Sequence, residues 1–382
     1  MGGDAVRERL RVALVLGAST GGIGRHVRAL AHGLTAQGIA VTICCPAETA
    51  ARFDFAAVGR VVALEIPAGV DTGIVPAVRD LRRELRAHPV DVVHAHGLRA
   101  GLIAALARPP RLVVSWHNAV LGQGARTRAL RLGERVVARR ADVTLAASPD
   151  LAERARALGG RDVRLGEVAA PVRVPRPGAA AAVRRELDTA ARPLVLSVGR
   201  LHPQKGYDVL VAAAARWREL EPTPIVVIAG TGPAYRDLAA QIFTARAPVS
   251  LLGYRTDVAD LLAAADVAVV SSVWEARQLF AQEALAAGVP LVATEVGGVP
   301  GLVGDAALLI PPGDVDALDQ AVRRLLADGS LRARLAAAGP ARAARWPTEA
   351  ETVGQVVAVY AELCAPARQP DPAGPDEPGT RP

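Results

Sequence analysis

Two pairs of charged residues carry the chemistry that this sequence can do. Arg200 and Lys205 stand five apart in GRLHPQKG, directly after the apolar run PLVLSV, and Glu275 and Glu283 stand eight apart in WEARQLFAQE. Two cations where a strand gives way to a helix suit a phosphate or diphosphate, because the helix N-terminus adds free N–H groups and a positive dipole end. Two carboxylates at one strand edge can accept hydrogen bonds from sugar hydroxyls. Lys205 is the single lysine among 45 basic residues, and Asn118 is the single asparagine; residues kept against so strong a bias are candidates for chemical necessity. Solvated surface charge is the plain alternative for each pair, and spacing alone does not choose between the two.

Glycines mark two further turns. VIAGTGPAYRDL places Gly230 and Gly232 between a strand and a helix, as in a phosphate-facing loop or an ordinary strand–helix turn. LGASTGGIGRH, with Gly21 and Gly22, looks like the opening loop of a dinucleotide-binding dehydrogenase. That reading fails on three counts. The glycine spacing is one residue too long. The second strand ends in Cys44, Cys45 and Pro46, where a ribose-binding acid belongs. No tyrosine has a lysine four residues on. What survives is a set of backbone N–H groups suited to an anion. Three histidines close apolar runs: His94 and His96 in HAHG, and His117, followed by Asn118, in SWHN. They read either as packed strand ends or as groups lining a site. With no acid or cysteine at ligand spacing, His94 and His96 do not read as a metal site. Asp314-Val315-Asp316 follows PPG and opens a helix, which makes helix capping its reading rather than metal binding.

The elements that position these residues alternate regularly. Apolar runs at 11–19, 40–45, 61–66, 90–96, 111–116 and 143–148 are separated by helical patterns at 23–38, 76–87, 98–107 and 125–140. PVRVPRPG (171–178) interrupts the series. A second series follows, with strands at 193–199, 224–230, 249–253, 267–272 and 290–294 and helices between them. Strands apolar throughout and alternating with helices imply parallel sheets covered on both faces. The expected architecture is therefore α/β, with two doubly wound Rossmann-like domains facing across a cleft. Ligands bind at the carboxyl ends of such strands. The expected divisions are residues 1–172, 173–347, a helix at 348–364 packing back on the first domain, and a disordered Pro-rich tail at 365–382.

Taken in order, GRLHPQKG, GTGP, the E-x(7)-E pair and EALAAGVPLVAT, with GGIGRHV and HAHG upstream, closely resemble the family 4 glycosyltransferases of the GT-B fold, over roughly residues 10–345. The resemblance implies a retaining transfer of a hexose-type sugar from a UDP- or GDP-linked donor to an acceptor. That acceptor would be a small molecule, a glycan or a lipid. It makes the first domain the acceptor domain and the second the donor domain. His117, Arg200, Lys205 and Glu275 would act at the reacting centre. Gly21, Gly22, Arg200, Lys205, Gly230, Gly232, Arg277, Gln278, Leu279 and Glu283 would bind the donor, with Glu283 on the ribose. Gly253–Arg255 would lie near the base, and His94, His96 and Asn118 on the acceptor side. The resemblance implies no bound metal and no cofactor, the nucleotide sugar being a co-substrate. Ala276 stands where the family carries glycine, Arg277 and Gln278 replace small residues, and AAPV (169–172) lacks the usual asparagine. A hydrolase or epimerase acting on nucleotide sugars, or a non-catalytic binding protein, are the alternatives.

Composition excludes other classes. Only 3% of residues are aromatic, too few to stack exposed bases, so the net charge of +7 does not point to nucleic acid. No apolar stretch approaches the ~20 residues of a membrane span. Three cysteines without metal-ligand spacing read as reduced thiols. The expected location is the cytoplasm; the Arg-rich amphipathic helix 125–140 reads first as a solvated basic helix and, as the alternative, as a peripheral contact with an anionic membrane surface. The sequence leaves the oligomeric state open.

Overall fold

Runs of three to six residues rich in Val, Leu and Ile are too short to cover themselves as helices, and they form strands in two sheets. The computed structural model describes residues 10–67, 73–122, 124–166, 168–169, 173–189 and 191–365. The first sheet contains β1 (Arg11–Leu16), β2 (Ala40–Cys45), β3 (Arg60–Ala63), β4 (Val92–His96), β5 (Leu112–Trp116), β6 (Val143–Ala146) and β7 (Val163–Leu165), in the order β3-β2-β1-β4-β5-β6-β7. The second contains β8 (Leu194–Val198), β9 (Ile225–Ala229), β10 (Val249–Gly253), β11 (Val267–Val270), β12 (Leu291–Thr294) and β13 (Ala307–Ile310), in the order β10-β9-β8-β11-β12-β13. Among the described residues every pairing is parallel.

Each sheet is buried on both faces, which is why its central strands carry no polar alternation. Four apolar clusters result, two per sheet. In both sheets the strand order reverses beside the first strand, β1 or β8, and loops diverging there leave a crevice at the carboxyl ends. The edge strands β7 and β13 lie outside the sequence expectation. Three or four residues at a sheet margin carry too little pattern to be read locally.

The C-terminal helix Glu349–Cys364 starts with a capping box: Thr348 Oγ1 accepts from Glu351 N–H at 3.2 Å, and Glu351 Oε2 accepts from Thr348 N–H at 2.8 Å. It lies on the helix Gly22–Ala36 of the first half of the chain, where Gly33 lets Val353 approach: a Cβ on Gly33 would sit 2.6 Å from a Val353 methyl. Val353, Val356, Val357 and Tyr360 join the first sheet's core. Arg111 donates to the carbonyl of Leu363 at 2.6 Å, and Arg164 pairs with Glu362. The expected boundary at 172 and the expected disordered tail beyond 365 lie outside the described residues.

The helix Ala125–Arg140 turns Val137 and Ala138 inward. Its buried Glu134 accepts from the guanidinium of Arg154, while Leu132 is 65% exposed. Among the described residues no helix is long and apolar enough to cross a membrane.

Candidate active site

Lys205 and Glu275 meet because β8 and β11 are neighbours. β8 runs out at Gly199, Arg200 is exposed, and residues Pro203–Lys205 make a single 3₁₀ turn. That turn is fastened to the segment after β11. Gly206 adopts φ +60°, and a Cβ there would fall 2.1 Å from the carbonyl oxygen of Ser271, so only glycine lets the two backbones touch. Ser271 Oγ donates to the carbonyl of Lys205 at 3.0 Å, Val273 N–H to that of Gln204 at 2.8 Å, and Gln204 Nε2 to that of Trp274 at 2.8 Å. Lys205 Nζ consequently donates to Glu275 Oε1 at 2.5 Å, and Ser272 Oγ donates to the same oxygen at 2.8 Å. Glu275 is only 8% exposed. His202 heads the turn, its Nδ1 accepting from Gln204 N–H; burial and the charges of Arg200 and Lys205 hold its pKa down, as an acceptor imidazole requires.

Gly230 and Gly232 serve the same loop. A Cβ on Gly230 would lie 1.9 Å from the carbonyl oxygen of Gly199, and one on Gly232 would lie 2.2 Å from that of Leu201. Leu201 N–H donates to Thr231 and Ala234 N–H to Leu201, both at 3.0 Å. Packing against the Arg200 loop is the reason these positions are glycine. Further along the edge, Gly253 takes φ +71°, and Arg255 is held by Asp257 and Glu186.

The helix Leu279–Ala286 carries the second carboxylate. Gln278 caps it, its Oε1 accepting from Phe280 N–H at 2.7 Å. Arg277 reaches back to donate to the carbonyl of Val168 at 2.8 Å and lies over Trp346, 5.9 Å from the ring centre. The side chains of Arg277 and Gln278 thus fasten the loop; the expectation that they bind the donor finds no support in their side-chain geometry. Glu283 lies one turn beyond Leu279, and its Oε1 is buried with no hydrogen-bond partner among the described residues. Burial raises its pKa, against the lowering influence of Arg25 and Arg173. Glu283 and Arg173 line a cavity of about 720 Å³, and Arg173, Arg25 and Leu279 line an adjoining one of about 290 Å³.

The first half of the chain closes over this edge. A Cβ on Gly22 would sit 3.0 Å from Leu279 Cδ1, whereas one on Gly21 would meet open space. Trp274 donates to Asp150 at 2.9 Å, and Ala276 is buried in the first sheet's core. Gly22 and Leu279 are thus brought together from positions more than 250 residues apart, as were Lys205 and Glu275 from 70.

Period-two geometry puts His94 and His96 on one face of β4, with ring centres 4.2 Å apart. His94 is fully buried and both its nitrogens are engaged, Nδ1 with Tyr360 Oη at 2.6 Å and Nε2 with Ser115 Oγ at 2.8 Å. It ties the C-terminal helix to the sheet, and its expected place on the acceptor side is corrected to an internal one. His96 Nδ1 lies 3.3 Å from His117 Nε2, and the ring of His26, from the helix Gly22–Ala36, stands about 5.5 Å from both. Asn118 is exposed. His26, Arg25 and Arg173 escaped the sequence reading. His26 and Arg25 follow GGIG within the first helical turn, where a cleft-facing position could have flagged them. Asp314 caps its helix as expected, Oδ1 accepting from Ala317 N–H at 2.9 Å.

Comparison with known proteins agrees with this fold. Residues 21–171 match the family described as "Glycosyl transferase 4-like domain", and residues 192–328 match "Glycosyl transferases group 1". A D-inositol 3-phosphate glycosyltransferase of Geodermatophilus obscurus is 35% identical over 324 residues, covering 76% of this chain and 71% of the relative. An alpha-D-kanosaminyltransferase of Streptomyces kanamyceticus is 32% identical over 179 residues, 45% of this chain and 46% of the relative. Among solved structures, HepE of Anabaena in complex with UDP and glucose superposes with a TM-score of 0.80 at 21% identity, over 92% of this chain and 99% of that one; at that identity the likeness speaks for the fold alone. With two parallel Rossmann-like sheets, the charged edge of the second and these relatives, the chain belongs to the family 4 glycosyltransferases and has the GT-B fold.

Proposed function

We propose that the enzyme moves a hexose from a nucleoside-diphosphate sugar, UDP- or GDP-linked, to a hydroxylated acceptor with retention at the anomeric carbon, without a metal or cofactor. The observation that carries this reading is the Lys205–Glu275 pair at the carboxyl ends of β8 and β11, together with Glu283 on the helix that follows, whose buried Oε1 has no partner among the described residues. A ribose hydroxyl would satisfy that oxygen. Arg200 and Lys205 would bind the diphosphate and stabilise charge growing on the leaving oxygen, the place where an electrostatic contribution accelerates transfer most. Glu275, already oriented by Ser272, would contact the donor sugar, with His117 facing it from the first domain. Catalysis on one face, with the departing diphosphate accepting the acceptor's proton, fits a site in which cations replace a metal.

The relatives named for D-inositol 3-phosphate favour a phosphorylated polyol among the acceptors. Arg25, Arg28 and His32 on the wall of the 290 Å³ cavity support an anionic one. Incubation with UDP- and GDP-hexoses and a panel of polyol phosphates, glycans and lipids tests the proposal. A new glycoside whose anomeric configuration matches the donor supports it. Release of free sugar without any acceptor points to the hydrolase alternative, and binding without turnover across the panel to a non-catalytic protein.

A further inference from the structure

The catalytic reading uses His117 but leaves His26 and His96 unexplained. One ring nitrogen from each of His26, His96 and His117 lies within 4.8 Å of the others. The three residues come from separate elements, the helix Gly22–Ala36, the end of β4 and the residue after β5, which is why no spacing in the sequence announces them. A tetrahedral ion bound by nitrogens at about 2.0–2.1 Å separates its ligand atoms by about 3.4 Å. The His96–His117 nitrogen separation is 3.3 Å, so small rotations of the His26 ring would complete a triangular face.

Further features of the cluster fit an ion. His96 is 3% exposed; its Nδ1, the nitrogen that faces His117, would be the ligand atom, leaving the proton on Nε2. Its ring is held in place by stacking on His94, itself locked by Tyr360 and Ser115, the kind of outer support that orients metal-binding imidazoles. His26 lines the 290 Å³ cavity, from which an ion would enter. All-imidazole ligation with no carboxylate selects zinc-like ions over magnesium or calcium.

We infer that His26, His96 and His117 form a site for a divalent transition cation of the zinc type, and that the ion, by engaging His117, blocks sugar transfer. The binding half stands on geometry alone. The blocking half rests on the transferase reading above.

The test uses tag-free protein stripped by a chelator and then titrated with Zn²⁺ by calorimetry and with Co²⁺ by visible absorption. The expected result is one ion per chain, four-coordinate Co²⁺ bands and no response to Mg²⁺. His26→Gln should weaken Zn²⁺ binding by about a hundredfold or more, whereas His88→Gln, on the surface, should leave it unchanged. Circular dichroism confirms that each variant is folded, and His96→Gln serves as the second probe if His26→Gln is not. Binding at other stoichiometry, or binding untouched by the His26 and His96 variants, overturns the site. Binding with those properties but with undiminished transfer in excess Zn²⁺ overturns the blocking role alone. An enzyme inactive even without Zn²⁺ refutes the transferase reading and not the site.

Discussion

Replacing Lys205 with Met removes a charge while keeping most of the apolar stem, and the structure predicts two separable losses. Glu275 would remain 8% exposed with the Ser272 hydroxyl as its hydrogen-bond donor. Breaking a fully buried ion pair costs about 3–5 kcal/mol. Lys205 has a side chain 21% exposed, so water reaches the broken pair and the expected cost is about 1–3 kcal/mol. Adding Glu275→Gln removes the stranded charge, and the double variant should recover most of that stability. Turnover should behave differently. Losing one donor to a developing oxyanion lowers kcat by about 10²–10³, or about 3–4 kcal/mol, and Glu275→Gln supplies nothing to replace it. Urea unfolding midpoints and nucleotide release at saturating donor, measured for the wild type, both single variants and the double variant, make the test. The assignment of Lys205 to the leaving group is refuted if K205M keeps turnover within about threefold of wild type. Recovery of turnover in step with stability in the double variant would show that the pair is structural only.

Glu283→Ala should weaken UDP or GDP binding by about tenfold or more, the equivalent of one charge-assisted hydrogen bond; calorimetric titration with the nucleotide reads it. The pKa of Glu283 is raised by burial, so its contribution to stability is present at low pH and is lost as pH rises through the folded value. Glu283→Gln should therefore raise the neutral-pH melting temperature of the free enzyme, a gain that shrinks on acidification. His94 and His26 are depressed from 6.5 to about 3 and about 4, so the stability they contribute is present above pH 6.5 and is lost as pH falls toward those values. A variant His94→Phe, which also strands the buried Tyr360 hydroxyl at a cost of about 1–3 kcal/mol, should flatten that acid-side loss in urea titrations at stepped pH. Gly232→Ala places a methyl 2.2 Å from a backbone carbonyl and should destabilise the second domain by about 1–3 kcal/mol or more, with loss of nucleotide binding in a thermal-shift assay. If the helix Ala125–Arg140 meets membranes, the protein should sediment with anionic vesicles at low salt and be released at high salt; equal sedimentation with neutral vesicles would count against it.

The sequence by itself determined the two parallel sheets, because burial on both faces writes itself as short apolar runs between amphipathic helices, a local pattern. It also marked as candidates Lys205, Glu275 and Glu283, whose types and ordered motifs need no contact to be seen. The edge strands β7 and β13 were too short to show. Which charges pair, however, depends on strand order: Lys205 meets Glu275 because β11 crosses over to lie beside β8, and nothing local encodes that crossover. The same holds for the glycines. Gly230 and Gly232 read equally as a phosphate-facing loop or an ordinary strand–helix turn, and it is the nearby carbonyls of Gly199 and Leu201 that require them. The histidines divide for the same reason. His94 and His96 differ by two positions and share a face, yet one is sealed by a tyrosine 266 residues away while the other opens toward His26 and His117. Side-chain type and period are properties of a segment, whereas a partner exists only once remote segments are packed together.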